Sequence, residues 1–241
     1  MKIFGVIPSR YGSTRFPGKP LAKILGKPMI QWVYEACLKS KLLTKVIVAT
    51  DHLDIYNCVK DFGGDVVMTP NNIKTGTDRC LEAVKNEECD FVVNIQGDEP
   101  LISASIIDST IQKLINSRDG VCSTPITPIY DKNELLNENT VKVLFDKNDN
   151  ALYFSRSPIP FLRNDTKESL YYKHIGLYVY NLKFLKQFVE MEQTKLEIVE
   201  SLEQLRILEN GYRIKVVITD YNPIGVDTPE DIEIVEKVLN G

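Results

Sequence analysis

The N-terminal half of the chain alternates short apolar runs with longer segments whose apolar residues recur at helical spacing. The apolar runs predict strands at 3–7, 45–50, 65–69 and 90–96. Two of these runs are almost continuously apolar, which is typical of parallel strands covered on both faces. The segments between them predict helices near 28–37, 54–62, 77–86 and 104–116. Strands separated by helices of this length indicate right-handed βαβ units and an α/β fold with an open, doubly wound, mostly parallel sheet.

The order of predicted elements changes after Gly120, where strands follow one another without intervening helices. This β-rich excursion predicts strands at 121–126, 141–145, 151–155 and 174–180. Helices are then predicted at 182–190 and 196–210, with Gly211 as a C-terminal stop. A strand at 213–219 and a helix at 229–239 follow them. We therefore expect a single domain over 1–241 with three segments, 1–119, 120–181 and 182–241.

Composition narrows the class of protein. A chain of 241 residues with 43% hydrophobic residues suits one large globular domain. The formal net charge of −4 argues against non-specific binding of nucleic acid. Neither a long apolar run nor a signal peptide is recognisable, so we expect a cytoplasmic protein without membrane contact. The five cysteines are too irregularly spaced to predict a disulfide framework or a zinc site.

A loop rich in glycine, proline and basic residues follows the first predicted strand. It contains Arg10, Arg15 and Lys19, and no acidic residue precedes Glu35. Such a loop between a strand and a helix suits a ligand with several negative charges, such as a nucleoside triphosphate. Its spacing differs from that of a Walker A loop, and it lacks a GxGxxG motif. The alternative is a solvated basic loop.

Further polar residues lie at predicted strand and helix ends. Asp98 and Glu99 follow the fourth strand, at the edge where open α/β sheets bind ligands. A carboxylate that faces a triphosphate needs a cation between them, and Mg²⁺ prefers oxygen ligands. Asp227 would share this metal if it lies near Asp98, or it could simply cap the last helix. Asp98 could likewise be a turn residue that caps a helix, and Glu99 could point into solvent. The turn Thr75–Arg79 is weak evidence for contact with a nucleobase edge.

Nine segments of the chain together resemble the CMP-Kdo synthetases, the 3-deoxy-manno-octulosonate (Kdo) cytidylyltransferases. They are IPSRYGSTRFPGKPL at 7–21, ATDH at 49–52, TGTDR at 75–79, VNIQGDEP at 93–100, VKVLFD at 141–146, ALYFSRSPIP at 151–160, HIGLY at 174–178, LEQLRIL at 202–208 and GVDTPED at 225–231. Sialic-acid cytidylyltransferases share the general architecture, but ALYFSRSPIP and LEQLR are typical of the Kdo branch.

The resemblance implies a nucleotide-diphospho-sugar-transferase-like fold and a nucleotidyl transfer. The anomeric hydroxyl of Kdo would attack the α-phosphorus of CTP, and pyrophosphate would leave. Residues 1–119 would bind the nucleotide, 120–181 would carry a homodimer contact, and 182–241 would supply helices on the sugar side. The product would enter lipopolysaccharide or capsule synthesis. Two alternatives are the same chemistry on 8-amino-Kdo or a sialic-type acid, and an inactive protein that binds sugar nucleotides.

The resemblance also gives roles to individual residues. Those expected to bind CTP are Arg10, Ser13, Arg15, Lys19, Thr75, Gly76 and Arg79. Those expected to bind the sugar acid are Gln96, Arg156, His174, Tyr178, Glu203 and Gln204. Those expected to bind magnesium are Asp98 and Asp227, which form the catalytic set together with Arg10 and Lys19. Because Glu203 and Gln204 adjoin the apolar stripe of the predicted helix 196–210, they could instead lie on a solvated helix face.

Overall fold

The computed structural model describes residues 1–12, 16–164 and 171–240. Its strands are β1 Ile3–Ser9, β2 Lys23–Ile24, β3 Lys27–Pro28, β4 Lys45–Thr50, β5 Val66–Met68, β6 Phe91–Asn94, β7 Gly120–Pro128, β8 Lys142–Phe145, β9 Ala151–Ser155, β10 Tyr172–His174, β11 Tyr178–Asn181 and β12 Arg213–Ile218. Its helices are α1 Met29–Leu38, α2 Leu53–Asp61, α3 Gly76–Val84, α4 Ala104–Ile115, α5 Lys132–Leu136, α6 Leu182–Glu190, α7 Lys195–Glu200, α8 Gln204–Glu209 and α9 Pro229–Asn240. Among these, we find no helix long and apolar enough to cross a membrane.

The chain divides into two compact units, Met1–Asp108 with Pro223–Gly241, and Ser109–Asn222. This division differs from the expected segments 1–119, 120–181 and 182–241. The reason is that α9 packs with the N-terminal part of the chain. Val235 of α9 is fully buried in a cluster with Ile24, Met29 and Val226. The segment from 182 to 222 belongs instead to the β-rich unit.

The first unit contains parallel strands in the order β5-β4-β1-β6. Strand β1 pairs on both sides, and its residues Val6 and Ile7 are completely buried. The same burial holds for Val48 in β4 and Val92 in β6. The prediction of an α/β fold with a mostly parallel sheet is therefore confirmed, and apolar burial on both strand faces is what made these strands recognisable.

The second unit is built around β7, which pairs with three strands. β10 and β11 run antiparallel to it, and β12 runs parallel. β10 also pairs with β8, which forms a hairpin with β9. The single strand predicted at 174–180 is wrong, since β10 ends at His174 and β11 begins at Tyr178. The hydroxyl of Thr124 donates to Leu177 O at 2.8 Å and also lies 3.1 Å from Ile175 O, so a side chain of β7 contacts the backbone where the chain leaves the strand.

The single helix predicted at 196–210 is also wrong, because α7 and α8 are separate helices. Ser201 adopts a left-handed conformation with φ of +53°, which ends α7. A buried ion pair then joins the two helices: Arg206 Nη2 lies 2.6 Å from Glu197 Oε1, and Arg206 Nε lies 2.8 Å from Glu197 Oε2. Gly211, with φ of +79°, follows α8 closely, as the predicted C-terminal stop requires.

Candidate nucleotide and sugar-acid site

A cavity of about 440 Å³ lies at the carboxyl ends of β1 and β6, in the first unit. It is lined by Pro8, Ser9, Arg10, Gly12, Lys19, Pro20, Gly76, Gln96, Gly97 and Asp98. The backbones of the two strand ends come close at Gly97, where a Cβ atom would lie 3.1 Å from Ser9 Oγ and 3.4 Å from Pro8 O. The structure thus brings together five residues that the sequence singled out, Arg10, Lys19, Gly76, Gln96 and Asp98.

The ammonium of Lys19 lies among three oxygen atoms. Its Nζ is 2.6 Å from Asp98 Oδ2, 2.8 Å from Val226 O and 3.4 Å from Asp227 Oδ1. Val226 N donates to Asp98 O at 2.9 Å, which ties the two acidic segments together. An ammonium has three protons, so these three acceptors can use its whole donor capacity. Asp98 and Asp227, far apart in sequence, therefore converge on one cation.

The basic loop is folded back on itself next to this cluster. Gly18, with φ of +70°, donates its N–H to Tyr11 O at 3.0 Å and precedes the 3₁₀ turn Lys19–Leu21. The Arg10 guanidinium donates to the carbonyl of Lys74 at 3.2 Å, a partner that is itself neutral. Two further residues expected on CTP, Ser13 and Arg15, lie outside the described residues.

The turn Thr75–Arg79 starts α3 beside the cavity. Thr75 caps the helix, since its hydroxyl accepts a hydrogen bond from Asp78 N at 3.0 Å. Gly76 lies against Pro8, whose Cγ would be 3.4 Å from an added Cβ. Arg79 is completely buried, with Nη2 2.7 Å from Asp51 Oδ2 and Nη1 donating to Thr69 Oγ1. Arg79 therefore holds the turn in place without lining the cavity. Its partner Asp51 is a residue that the sequence analysis missed.

The residues expected on the sugar acid lie in the second unit, apart from Gln96. A column of aromatic rings runs from Phe154 through His174 and Tyr178 to Tyr180, with centroid separations of 5.3, 5.1 and 5.7 Å. Burial lowers the pKa of His174 to about 3, and burial raises the pKa of Tyr178, to which the charge of Glu203 also contributes. Both rings are therefore neutral at ordinary pH.

The contacts of Thr124 indicate which nitrogen of His174 carries the proton. Thr124 Oγ1 lies 3.0 Å from His174 Nε2 and 2.8 Å from Leu177 O. The single hydroxyl proton goes to the carbonyl, which can only accept, so Nε2 is the donor in its contact with Thr124. Nδ1 of the neutral ring is then a hydrogen-bond acceptor. His174 can thus read a donor group such as a sugar hydroxyl.

Arg156 is held by carbonyl groups in a polar cluster. Its Nε donates to Glu200 O at 2.8 Å and its Nη1 to Glu138 O at 2.9 Å. The Glu200 carboxylate accepts from Arg156 N at 2.9 Å and Ser155 Oγ at 2.6 Å. Burial, followed by the charge of Arg156, lowers the pKa of Lys142. The charge of Glu200 raises the same pKa, so two cations and one carboxylate share this cluster. Glu200 is a second partner that the sequence analysis missed.

Glu203 and Gln204 lie at the break between α7 and α8. Gln204 is only 5% exposed, so a solvated helix face is excluded for it. Glu203 is half-buried, and its charge acts on Tyr178, which places it near the aromatic column. The structure thus brings His174, Tyr178 and Glu203 into one neighbourhood, although by a different local fold from the expected continuous helix.

Comparisons with known proteins agree with this fold. A family model described as cytidylyltransferase matches residues 4–215. The 3-deoxy-manno-octulosonate cytidylyltransferase of Thermodesulfovibrio yellowstonii is 50% identical, with 98% of this chain and 97% of the relative covered. The enzyme of the same name from Geotalea uraniireducens is 51% identical, over 99% of each. The chain therefore belongs to the cytidylyltransferases, and within them to the family of the 3-deoxy-manno-octulosonate cytidylyltransferases.

Solved structures give the same result. A CMP:2-keto-3-deoxy-manno-octonic acid synthetase complexed with CTP superposes with a TM-score of 0.95 at 40% identity, with 100% of this chain and 99% of that chain covered. A cytidylyltransferase from Leptospira borgpetersenii serovar Hardjo-bovis has a TM-score of 0.67 at 19% identity, covering 100% of this chain and 87% of its own, and so shares the fold.

Proposed function

We propose that this protein transfers CMP from CTP to the anomeric hydroxyl of Kdo, giving CMP-Kdo and pyrophosphate. In this reaction the sugar oxygen forms a bond to the α-phosphorus, the bond from that phosphorus to the bridging oxygen breaks, and the hydroxyl loses its proton. The observation that carries the proposal is the family membership at about 50% identity over nearly the whole chain. The direct test is release of pyrophosphate from CTP that depends on added Kdo.

The nucleotide half of the reaction is assigned to the cavity in the first unit. Arg10 and Lys19 would hold the triphosphate, since both line this cavity. Thr75 and Gly76 would face the cytosine, with Arg79 fixing their turn. Nucleotidyl transfer spreads negative charge over oxygen atoms, and cations held by the fold stabilise that charge in the transition state. Ser13 and Arg15 keep their expected roles on CTP as part of the proposal.

The residues around Lys19 fit a magnesium ion as cofactor. Asp98, Asp227 and the carbonyl of Val226 direct oxygen atoms at the Lys19 ammonium, and oxygen donors are those that Mg²⁺ prefers, so a metal bound by them would require Lys19 to turn from these oxygens to the triphosphate. Within the described part of the chain, no group of three or more His, Cys, Asp or Glu side chains could hold a metal. Phosphate oxygens of the nucleotide would have to complete the ligand set. When bound, Mg²⁺ would neutralise charge on the triphosphate and on the leaving pyrophosphate.

The sugar half of the reaction is assigned to the second unit and to Gln96. Arg156 would pair with the sugar carboxylate, because its present partners are neutral carbonyls and its charge is not compensated by them. His174, Tyr178, Glu203 and Gln204 would read the hydroxyl tail. Here Nδ1 of His174 serves as the acceptor for one hydroxyl.

Two further proposals concern the location of the protein and its oligomeric state. We place the reaction in the cytoplasm, where CTP is made, with the product going to lipopolysaccharide or capsule. The homodimer contact proposed for 120–181 is supported by apolar side chains that are exposed there, among them Leu152 at 59% and Phe161 at 89%. Light scattering at micromolar concentration tests the dimer, and replacement of Phe161 by Ser should weaken it.

Replacing Lys19 by Ala should raise KM for CTP and lower kcat. The loss of one charge-assisted contact in a dehydrated site typically costs about 2–4 kcal/mol, on the order of a hundredfold in kcat/KM. Steady-state kinetics with varied CTP measure the effect. Lys23 lies in the same basic segment but is exposed, so Lys23→Ala is the matched control and should behave like the parent. Near-normal kcat/KM in Lys19→Ala would contradict the assignment of this loop to the triphosphate.

Acid should destabilise the protein partly through His174. Its pKa of about 3 in the folded state lies below the ordinary value of 6.5, so between these values the unfolded chain binds a proton that the folded chain does not. The free energy of unfolding therefore falls as the pH is lowered through this window, by about 2 kcal/mol between pH 7 and 5. His174→Phe, which keeps an aromatic ring, should lose this contribution. Urea unfolding of both proteins at the two pH values checks it; equal losses would contradict the prediction.

A further inference from the structure

The ATDH segment contains a histidine to which the proposed reaction gives no role. His52 is the residue that caps α2, two positions after the end of β4. Its Nδ1 accepts a hydrogen bond from Asp54 N at 3.2 Å, and its carbonyl accepts from Tyr56 N at 3.0 Å. The backbone N–H of His52 in turn donates to Thr50 Oγ1 at 3.2 Å. These bonds fix the imidazole at the junction of strand and helix.

The ring of His52 is stacked on Tyr11 of the basic loop. The ring centroids are 3.9 Å apart and the planes are inclined by 18°. Tyr11 also contacts the far end of the loop, since a Cβ added to Gly18 would lie 3.3 Å from Tyr11 Cε2. The hydrogen bond of 3.0 Å from Gly18 N to Tyr11 O closes the same end. Tyr11 thus joins the two ends of the loop, and His52 holds Tyr11.

The residues next to these contacts are the cations of the cavity. Arg10 precedes Tyr11, and Lys19 follows Gly18. Both line the 440 Å³ cavity, whereas His52 and Tyr11 are not among its lining residues. A shift of Tyr11 would move both cations. Arg10 is bonded to Tyr11 itself, and Lys19 is bonded to Gly18, which Tyr11 contacts. The stack therefore acts on the cations from outside the cavity.

We propose that His52 is a positioning residue for the nucleotide: its ring fixes Tyr11, and through Tyr11 it orients Arg10 and Lys19 toward the triphosphate. The inference rests on the proposed function, because it presupposes that CTP binds in this cavity. Preorganised cations bind a polyanion more tightly than mobile ones, since less ordering is left to be done on binding. The histidine thus has two separable tasks, a cap for α2 and a platform for the loop.

Two substitutions at position 52 separate these tasks. His52→Asn keeps an acceptor suited to an N-cap but removes the ring. His52→Phe keeps a ring that can stack but removes the acceptor for Asp54 N. Three measurements are made on both variants and on the parent. Calorimetric titration gives Kd for CTP, thermal unfolding gives Tm, and steady-state kinetics, with CTP and the sugar acid varied in turn, give KM and kcat.

We expect His52→Asn to raise both Kd and KM for CTP about two- to tenfold, the cost of ordering roughly one additional side chain on binding. Its KM for the sugar acid and its Tm should stay close to those of the parent. His52→Phe should bind CTP nearly as the parent does, while its Tm falls because the cap is lost. The inference is overturned if His52→Asn binds CTP like the parent, or if both variants weaken CTP equally.

A variant of the partner ring tests the same contact in case substitutions at position 52 disturb folding. Tyr11→Leu removes the other ring of the pair, together with its contact to Gly18, and should weaken CTP binding at least to the same extent. Combined with His52→Asn it should add nothing further, because the two residues act as a unit; additive losses would overturn the inference. If the parent itself fails to bind CTP, the proposed function fails with it. If the parent binds CTP and neither ring matters, only the positioning role fails.

Discussion

Asp98→Asn is expected to lower kcat by at least about a hundredfold, on the order of 3 kcal/mol, and Asp227→Asn to do the same. Both carboxylates converge on the position that the Lys19 ammonium now occupies. Removing either charge would leave a magnesium ion under-coordinated and the triphosphate poorly neutralised. Turnover with CTP and Kdo, measured over a range of magnesium concentrations, checks the expectation, and excess Mg²⁺ should not fully restore the rate.

Asp231 supplies the control for this pair. Its carboxylate accepts hydrogen bonds from Asp227 N at 2.9 Å and Thr228 N at 2.8 Å, so it caps the start of α9. Asp231→Ala should lower Tm and retain most of the activity. If Asp227→Asn behaves in that way too, with lower Tm and normal turnover, then Asp227 is a structural residue and the magnesium assignment is wrong.

Kdo should be preferred over N-acetylneuraminate by at least about a hundredfold in kcat/KM, on the order of 3 kcal/mol. The reason is that the second unit presents buried polar groups that need particular partners. His174 offers an acceptor nitrogen, and Gln204 is buried at the helix break. A substrate that leaves such groups unpaired forfeits their hydrogen bonds in the transition state. Both sugars are compared at saturating CTP and Mg²⁺.

The same assay separates the alternatives. Equal rates for the two sugars, or a preference for N-acetylneuraminate, would show that the Kdo assignment is wrong and leave cytidylyl transfer standing. Comparable turnover of 8-amino-Kdo and Kdo would widen the substrate class. An inactive sugar-nucleotide-binding protein would release no pyrophosphate with any of these acids.

The regular elements of the fold could be predicted where burial or capping is local. The strand at 45–50 was predicted with its observed bounds because its apolar run is buried on both faces. The helix at 182–190 was also predicted in full, and Asn181 caps it by accepting from Lys183 N at 2.9 Å. The break at Ser201 could not be predicted in this way. Apolar residues continue through it at helical spacing, and the Arg206–Glu197 pair that joins the two helices forms only once the chain has turned at Ser201.

The site could be predicted in residue types more readily than in geometry. Asp98 and Asp227 were selected because each follows a strand, but only the folded chain brings both to Lys19. The Val226 carbonyl carries no side-chain signal at all. Arg79 was expected beside the base and instead lies fully buried against Asp51. The ATDH segment contained the missing partner, but nothing in its spacing indicated an interaction with a turn elsewhere in the chain.

The meeting of Lys19, Asp98 and Asp227 also links activity to the course of folding. Lys19 and Asp98 are separated by 79 positions, and Lys19 and Asp227 by 208. Contacts at such separations carry a loop-closure cost, and a ribosome delivers the N-terminal strands long before the last segment. On the proposed role of Asp227, a nascent chain with a formed parallel sheet therefore still lacks one corner of its catalytic centre. With that role, enzyme activity would report the docking of α9. A refolding assay based on turnover would then follow the completion of the chain's longest-range contacts and not the formation of its secondary structure.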